Sequence, residues 1–211
     1  AVASEAGDRN IPVEVAQLTD SLKKQFAPDR RVALLDVDYS FSDKNVMLRG
    51  VTTSAEAKNA LLKELARKGY AVMDCLELLP DVKGLEGKTC GIINVSVANM
   101  RVAPDFSSEM MTQSLMGMPV RVLQRDGWVR IQTPDNYIAW VHRVGVHPVT
   151  EEEMAAWNKA EKIVVTAHYG FVYSEPNQTS QTVSDVVAGN RLKWEGSKGA
   201  FYKVTYPDGR R

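Results

Sequence analysis

Apolar residues recur every three or four positions from Val15 through Leu18 and Leu22 to Phe26, which predicts a helix with one core-facing stripe. Leu35, Val37, Tyr39 and Phe41 then alternate with Asp36, Asp38 and Ser40, the pattern of a half-buried strand. Ser42-Asp43-Lys44-Asn45 supplies a turn, and Val46, Leu48 and Gly50 share one face of a return strand. Thr53, with Glu56 three residues on, predicts a capping box that opens a second helix through Leu61, Leu62 and Leu65. Gly69 closes that helix, and Tyr70 to Leu79 reads as a third strand with Cys75 in its middle. Residues 10–82 are therefore expected to form a small α-β-β-α-β sandwich, a sheet backed by two helices. Pro80 to Lys88, with Gly84 and Gly87, marks its boundary.

From Ile92 onward the texture changes to short strands separated by turns every ten or so residues, as in small barrels. Arg125-Asp126-Gly127-Trp128 is a hairpin signal, since Asp-Gly accepts the positive φ of such turns. The pattern also repeats. Pro104, Leu115, Gly117 and Val120 recur as Pro176, Val187, Gly189 and Leu192, and the stretch from Trp128 to Asn136 then aligns with Phe201 to Gly209 after one inserted residue. Asn136 stands where Gly209 does, which fits a left-handed position at the end of both turns. Copy one runs on through Tyr137-Ile138-Ala139-Trp140-Val141, whereas copy two reaches Arg211 before any equivalent strand. The expected architecture is multi-domain, α+β followed by all-β. Its barrels span 89–148 and 162–211, the second incomplete at its C-terminus and left with an unpaired edge. A linker helix at 149–161 carries a second capping box, Thr150 with Glu153, and presents Met154 and Trp157 on one face to wedge between the barrels.

Composition narrows the partners. Lys+Arg and Asp+Glu are 26 each in 211 residues, so no global field draws nucleic acid or an anionic membrane, and no apolar run approaches the roughly 20 residues of a membrane span. An opening at Ala1 without Met suits an exported protein after removal of its signal, although a recombinant fragment would begin the same way. Cys75 and Cys90 form an even pair that closes a disulfide in an oxidising compartment or remains as two buried thiols.

Catalytic chemistry finds little support. Cys75, Cys90, His142, His147 and His168 are the only thiol-imidazole candidates, and apolar burial of Cys75 in its strand would make it inert. Cys90 paired with His142 is conceivable without any local signature for it. His142 and His147 are five apart, a spacing that fits neither zincins nor fingers, and Asp36 with Asp38 reads as a solvated strand face. No phosphate loop or Gly-x-Ser-x-Gly elbow is present, so no catalytic residue, metal or cofactor is assigned. The aromatic residues Trp128, Tyr137 and Trp140, together with Tyr169, Phe171, Tyr173, Phe201, Tyr202 and Tyr206, divide between barrel core and a groove for peptide or sugar.

The stretch from Asn94 to Pro104, followed by Gly117-Met118-Pro119-Val120, Trp128-Val129-Arg130-Ile131 and Tyr137-Ile138-Ala139-Trp140-Val141, resembles a bacterial SH3-like barrel. Copy two departs from that pattern, with His168 to Tyr173 at the N-x-R loop and Phe201 for the Trp. Tandem barrels joined by a Glu-rich helix resemble the non-catalytic N-terminal region of NlpC-class cell-wall cysteine peptidases of the dipeptidyl-peptidase type, and the first module resembles BON-type domains. The resemblance implies an exported monomer, in the periplasm or cell envelope. A papain-like domain would follow in cis and cleave the γ-D-glutamyl to diamino-acid bond of peptidoglycan stem peptides, while the barrels help select the peptide. Nothing here matches that domain's Cys-Ser-Gly motif. The expected ligand residues are Asn99, Arg101, Glu109 and Gln113 on or beside the first barrel's loop, with Trp128 and Tyr137. Glu109 suits a free ammonium and Arg101 a carboxylate. The alternative reading is a stand-alone wall-binding or interaction adaptor.

Overall fold

The computed structural model describes residues 11–210, and the chain divides into two compact units between Asp81 and Val82. In the first unit the apolar stripe forms α1 (Val13–Phe26), buried through Val15, Leu22 and Thr19. The Thr19 hydroxyl is satisfied there by Val15 O at 2.8 Å and Tyr39 Oη at 2.5 Å. The alternating run forms β1 (Leu35–Ser42), antiparallel to β2 (Asn45–Thr52). A helix, α2 (Ala55–Arg67), then leads to β3 (Ala71–Leu78), which lies parallel to β2 and completes a three-stranded sheet of order β1-β2-β3. Leu35, Tyr39, Val46, Leu48, Leu61 and Leu65 make the core between sheet and helices.

Two local readings are corrected. Ser54, not Thr53, caps α2: its Oγ accepts from Ala57 N at 3.0 Å, while Thr53 Oγ1 accepts from Leu34 N and ties the helix entry to β1. Cys75 is exposed rather than buried, because it alternates with the core residue Leu76 and so faces away from the helices, beside exposed Arg49 on β2. The close of α2 follows the expected chemistry. Gly69 adopts φ 84°, and the amides of Gly69 and Tyr70 donate to Ala66 O and Leu65 O, a Schellman pair.

The second unit is mostly sheet. Its first part comprises β4 (Cys90–Ile93), β5 (Val97–Arg101), β6 (Met110–Leu115), β7 (Pro119–Asp126), β8 (Trp128–Gln132), β9 (Ile138–His142) and, after a short 3-10 turn, β10 (Val146–Val149). These seven strands pair in the order β10-β4-β7-β8-β9-β5-β6, around Ile93, Met100, Val122, Ile131 and Val141. Among the described residues no pair joins β10 to β6, so the hydrogen-bonded sheet is open where a closed barrel was expected. Thr150 and Glu153 form the reciprocal box that starts α3 (Glu151–Lys159). This helix lays Met154 and Trp157 on Ile92 and Val149.

The rest consists of β11 (Lys162–Val164), β12 (Tyr169–Tyr173), β13 (Thr182–Val187), β14 (Arg191–Lys198) and β15 (Phe201–Thr205). They form two sheets, β11-β14-β15 and β12-β13, instead of one barrel. Their shared core holds Val186, Leu192 and Tyr206, and is plugged by Met116 from the turn between β6 and β7. Around that plug run four hydrogen bonds: Arg191 N to Met116 O at 2.9 Å, Asn190 Nδ2 to Ser96 O at 2.8 Å, Ser96 Oγ to Asp185 at 2.7 Å and Asn94 Nδ2 to Asp208 at 2.9 Å.

Burial of the Asp208 carboxyl opposes ionisation, but hydrogen bonds from Asn94 and from the amide and guanidinium of Arg210 outweigh it and hold the pKa below the usual carboxylate value. A depressed acid stabilises the fold above its unfolded pKa, about 4, and that contribution is lost as pH falls through the folded value. Thermal unfolding followed between pH 6 and pH 2.5 is therefore expected to show an acid-side loss that shrinks in Asp208→Asn; an unchanged slope would mean that the seam carboxylate contributes nothing.

Candidate binding face of the first sheet

Side chains on one face of β5, β9, β8 and β7 line up by register. Arg101 stands opposite Trp140, Trp140 opposite Arg130, and Arg130 opposite Gln124. The Arg130 guanidinium lies 5.1 Å from the Trp140 ring centroid and donates to Gln124 Oε1 at 3.1 Å. Two residues along the same face, Trp128 pairs with His142 across the β8-β9 hairpin, their rings 5.3 Å apart. Phe106 completes the group from the β5-β6 loop, 4.8 Å from Trp128 and 5.0 Å from His142. It keeps 66% of its surface exposed.

The loop is built to hold Phe106 there. Val102 N donates to Glu109 O, Ala103 N to Ser108 Oγ, and Arg101 Nη1 to Ser108 O at 2.6 Å. At its tip the Asp105 carboxylate accepts from both the amide and hydroxyl of Ser107, and these bonds lower its pKa. The face thus offers aromatic rings for stacking, with guanidinium groups beside them for an anionic group.

Of the residues expected from sequence, Arg101 and Trp128 belong to this face. Arg101 also braces the loop. Asn99 and Gln113 bond each other at 2.9 Å on exposed neighbouring strands. Glu109 closes the loop through its carbonyl, and its exposed side chain is available to solvent. Tyr137 sits beyond the opposite end of β8, roughly 16 Å along the strand from Trp128. Phe106 went unread, as did the outward pairing of Trp140 and His142. The alternation of 128/130 with 140/142 across a hairpin was the available signal.

Cysteine chemistry is not assembled here. Cys90 and His142 lie on β4 and β9, three strand spacings of about 4.8 Å apart in the sheet order. Burial pushes the Cys90 thiol up, helped by the Glu151 charge, and a thiol so shifted is a poor nucleophile. Both cysteines are free. Among the described residues no group of His, Cys, Asp and Glu is placed to hold a metal, and no helix is long and apolar enough to cross a membrane.

A small, open β module with an aromatic face is the class these elements define. Residues 100–144, which contain all the residues of this face, match the family model of the bacterial dipeptidyl-peptidase Sh3 domain. That stretch is thus similar to a bacterial SH3 domain of the dipeptidyl-peptidase kind. Among solved structures it is similar to an NlpC/P60 family protein from Bacillus cereus ATCC 10987, at 20% identity and a TM-score of 0.47 over 57% of this chain and 52% of that one. An NlpC/P60 endopeptidase from Photobacterium damselae subsp. piscicida aligns at 10% identity and a TM-score of 0.44 over 97% and 53%. The chain therefore spans about half the length of either structure. No curated protein matches it.

Proposed function

We propose that this chain is the non-catalytic recognition and targeting region of an exported cell-wall cysteine peptidase, and that its first SH3-like module binds peptidoglycan stem peptides. The observation that carries the reading is the coincidence of the dipeptidyl-peptidase Sh3 match with the Phe106-Trp128-His142 face and its flanking Arg101 and Arg130. Rings of this kind supply contact area at low entropic cost, and a guanidinium recognises a peptide carboxylate in bidentate fashion. Glu109, beside the loop, complements a free ammonium. The cleavage chemistry, at a γ-D-glutamyl to diamino-acid bond, belongs in this reading to a papain-like domain joined in cis.

The domain plan that goes with it has a BON-like module over 10–82, a first SH3-like module over 89–148, a linker helix over 149–161 and a second SH3-like module from 162. Main-chain bonding supports the second copy. Ile93 N to Met118 O, Gly117 N to Ile93 O and Met118 N to Leu115 O recur as Val165 N to Asn190 O, Gly189 N to Val165 O and Asn190 N to Val187 O. The Asp105-Ser107 loop recurs as Asn177-Thr179, down to the side-chain bonds. Phe106, however, is replaced by Gln178 and Arg101 by Tyr173, so the binding chemistry is assigned to the first copy alone.

Titration calorimetry with a synthetic γ-D-glutamyl-diamino-acid peptide bearing a free amino terminus tests the assignment. Trp128→Ala and Phe106→Ala are expected to weaken binding about tenfold each, equivalent to roughly 1.4 kcal/mol. Phe171→Ala, in the second copy, should leave it unchanged. Absence of saturable binding by the unmodified protein would favour the adaptor reading instead.

A further inference from the structure

The three-stranded sheet of the first unit packs one face on α1 and α2. Strand alternation sends Val46 and Leu48 of β2, and Val72 and Leu76 of β3, to the helices, and Asp74 between the latter two pairs with Lys58 of α2 at 2.9 Å. The odd-numbered positions of both strands therefore share the other face. There the parallel register sets Met47 opposite Met73 and Arg49 opposite Cys75. Met73 is 58% exposed, Cys75 is an exposed free thiol and Met47 is half-buried. Three sulfur side chains thus occupy adjoining positions on one surface.

Their spacing suits a single small ion. Neighbouring strands run about 4.8 Å apart and residues two apart on a strand about 6.6 Å, so the three positions form a compact triangle. An unbranched methionine, with three rotatable bonds, swings its thioether inward from either corner at little cost. Both methionines also border one recess, a cavity of about 460 Å³ whose lining includes the uncharged Ser40, Ser42, Asn45 and Ala71. Arg49, the cation nearest in register, is matched by Asp38 opposite it on β1. The surroundings therefore set no net charge against an incoming cation.

We propose that Met47, Met73 and Cys75 form a binding site for a soft monovalent metal ion, of which Cu(I) is the biological case. Thioether and thiolate sulfurs are soft donors that select such ions over hard ones. Cys75 gives up its proton on binding, and one thiolate with two neutral thioethers then balances the single positive charge. Zn(II) fits less well, since it takes Cys, His and carboxylate ligands, and among the described residues no such group is assembled. The site lies wholly within the first unit and is independent of what the aromatic face of the second binds.

The probe is Cu(I) itself, added anaerobically with ascorbate to the reduced full chain carrying Cys90→Ala, which leaves Cys75 as the only thiol. Competition with the chromogenic chelator bicinchoninate reads affinity, and one bound ion per chain is expected. Met47→Leu combined with Met73→Leu should weaken binding about tenfold or more, as should Cys75→Ser, since loss of even a supporting group at a metal site costs that much. These positions lie outside the helix-facing core and Met→Leu conserves volume, so the variants should fold. The methyl NMR signals of Met47 and Met73 should shift on loading, while that of Met110, exposed on β6, stays in place. Absence of saturable binding would overturn the proposal. Undiminished affinity in the double methionine variant would also overturn it, reducing the feature to a bare thiol, as would displacement of Cu(I) by an equal concentration of Zn(II).

Discussion

Gly117→Val is expected to destabilise the second unit by about 3 kcal/mol or more, one of the largest single-residue losses the molecule offers. Gly117 holds φ 83°, and a Cβ there would meet Arg191 O at 2.3 Å and Arg191 Cβ at 2.7 Å. The backbone cannot swing away to relieve the clash, because its amide donates to Ile93 O at 2.8 Å and its carbonyl accepts from Trp157 Nε1 at 3.2 Å. Left-handed backbone costs a β-branched residue most, and here the steric conflict is with main chain, which no rotamer change can move. Gly127 supplies the comparison. Its φ of 68° is similarly restrictive, but nothing lies within 4 Å of the position a Cβ would occupy. Gly127→Ala should therefore cost only the conformational part, about 1 kcal/mol. Urea unfolding of both variants separates the two contributions, and equal losses would show that the close approach to Arg191 is not what makes Gly117 indispensable.

That contrast also shows what a sequence discloses. Both glycines were legible as turn residues, since hairpin and repeat signals are local. The consequence of Gly117 was not, because Arg191 lies 74 positions away in the chain. The periods of 3.6 and 2 located α1, β1, β2 and α2 because each buries one face against a neighbour and must advertise it. Thr53 and Ser54 are both good cap residues, and only the competing bond from Leu34 N to Thr53 Oγ1 decides between them. Cys75 was misplaced because β3, a run with little alternation, gives no sign of which face the helices cover. The aromatic face was half legible. Arg101 and Trp128 sit in conspicuous motifs, whereas Phe106 joins them only through a loop fold set by Ser108 and Asp105, and Trp140 only through register. Register in turn depends on bulges at Met100/Arg101 and Val122/Gln124, for which the side-chain pattern has no mark. The open order of the seven strands has the same origin, since which edges meet is a long-range property.

Under the proposed function Arg101 has two roles, which Arg101→Ala does not separate. Its guanidinium donates to Ser108 O and so helps to position Phe106, in addition to any contact with a ligand. Loss of binding in Arg101→Ala therefore mixes a positioning effect with a direct one, which is why Trp128 and Phe106 are the better probes of recognition.

Trp157→Ala is the second large loss expected, about 3–5 kcal/mol, from a side chain 7% exposed in the cluster with Ile92, Val149 and Met154. Truncation removes the ring and also the donor that satisfies Gly117 O, the carbonyl of the glycine that presses on Arg191. The Lys162 ammonium packs 5.2 Å from the same ring while donating to Trp157 O and, at 2.9 Å, to Ala160 O, so it caps the end of α3. Burial depresses the Lys162 pKa, with the nearby Arg191 charge acting in the same direction. Trp157→Phe should recover most of the packing and leave a deficit of about 1–3 kcal/mol for the unsatisfied carbonyl. If the ring fixes α3, the Gly117 turn and the Arg191 strand together, Trp157→Ala should lower the melting temperature of β4–β10 and β11–β15 in concert, with one transition by hydrogen exchange. Selective opening of β11–β15 with β4–β10 still protected would instead mean that Met116 and the four hydrogen bonds around it, not Trp157, couple the two halves.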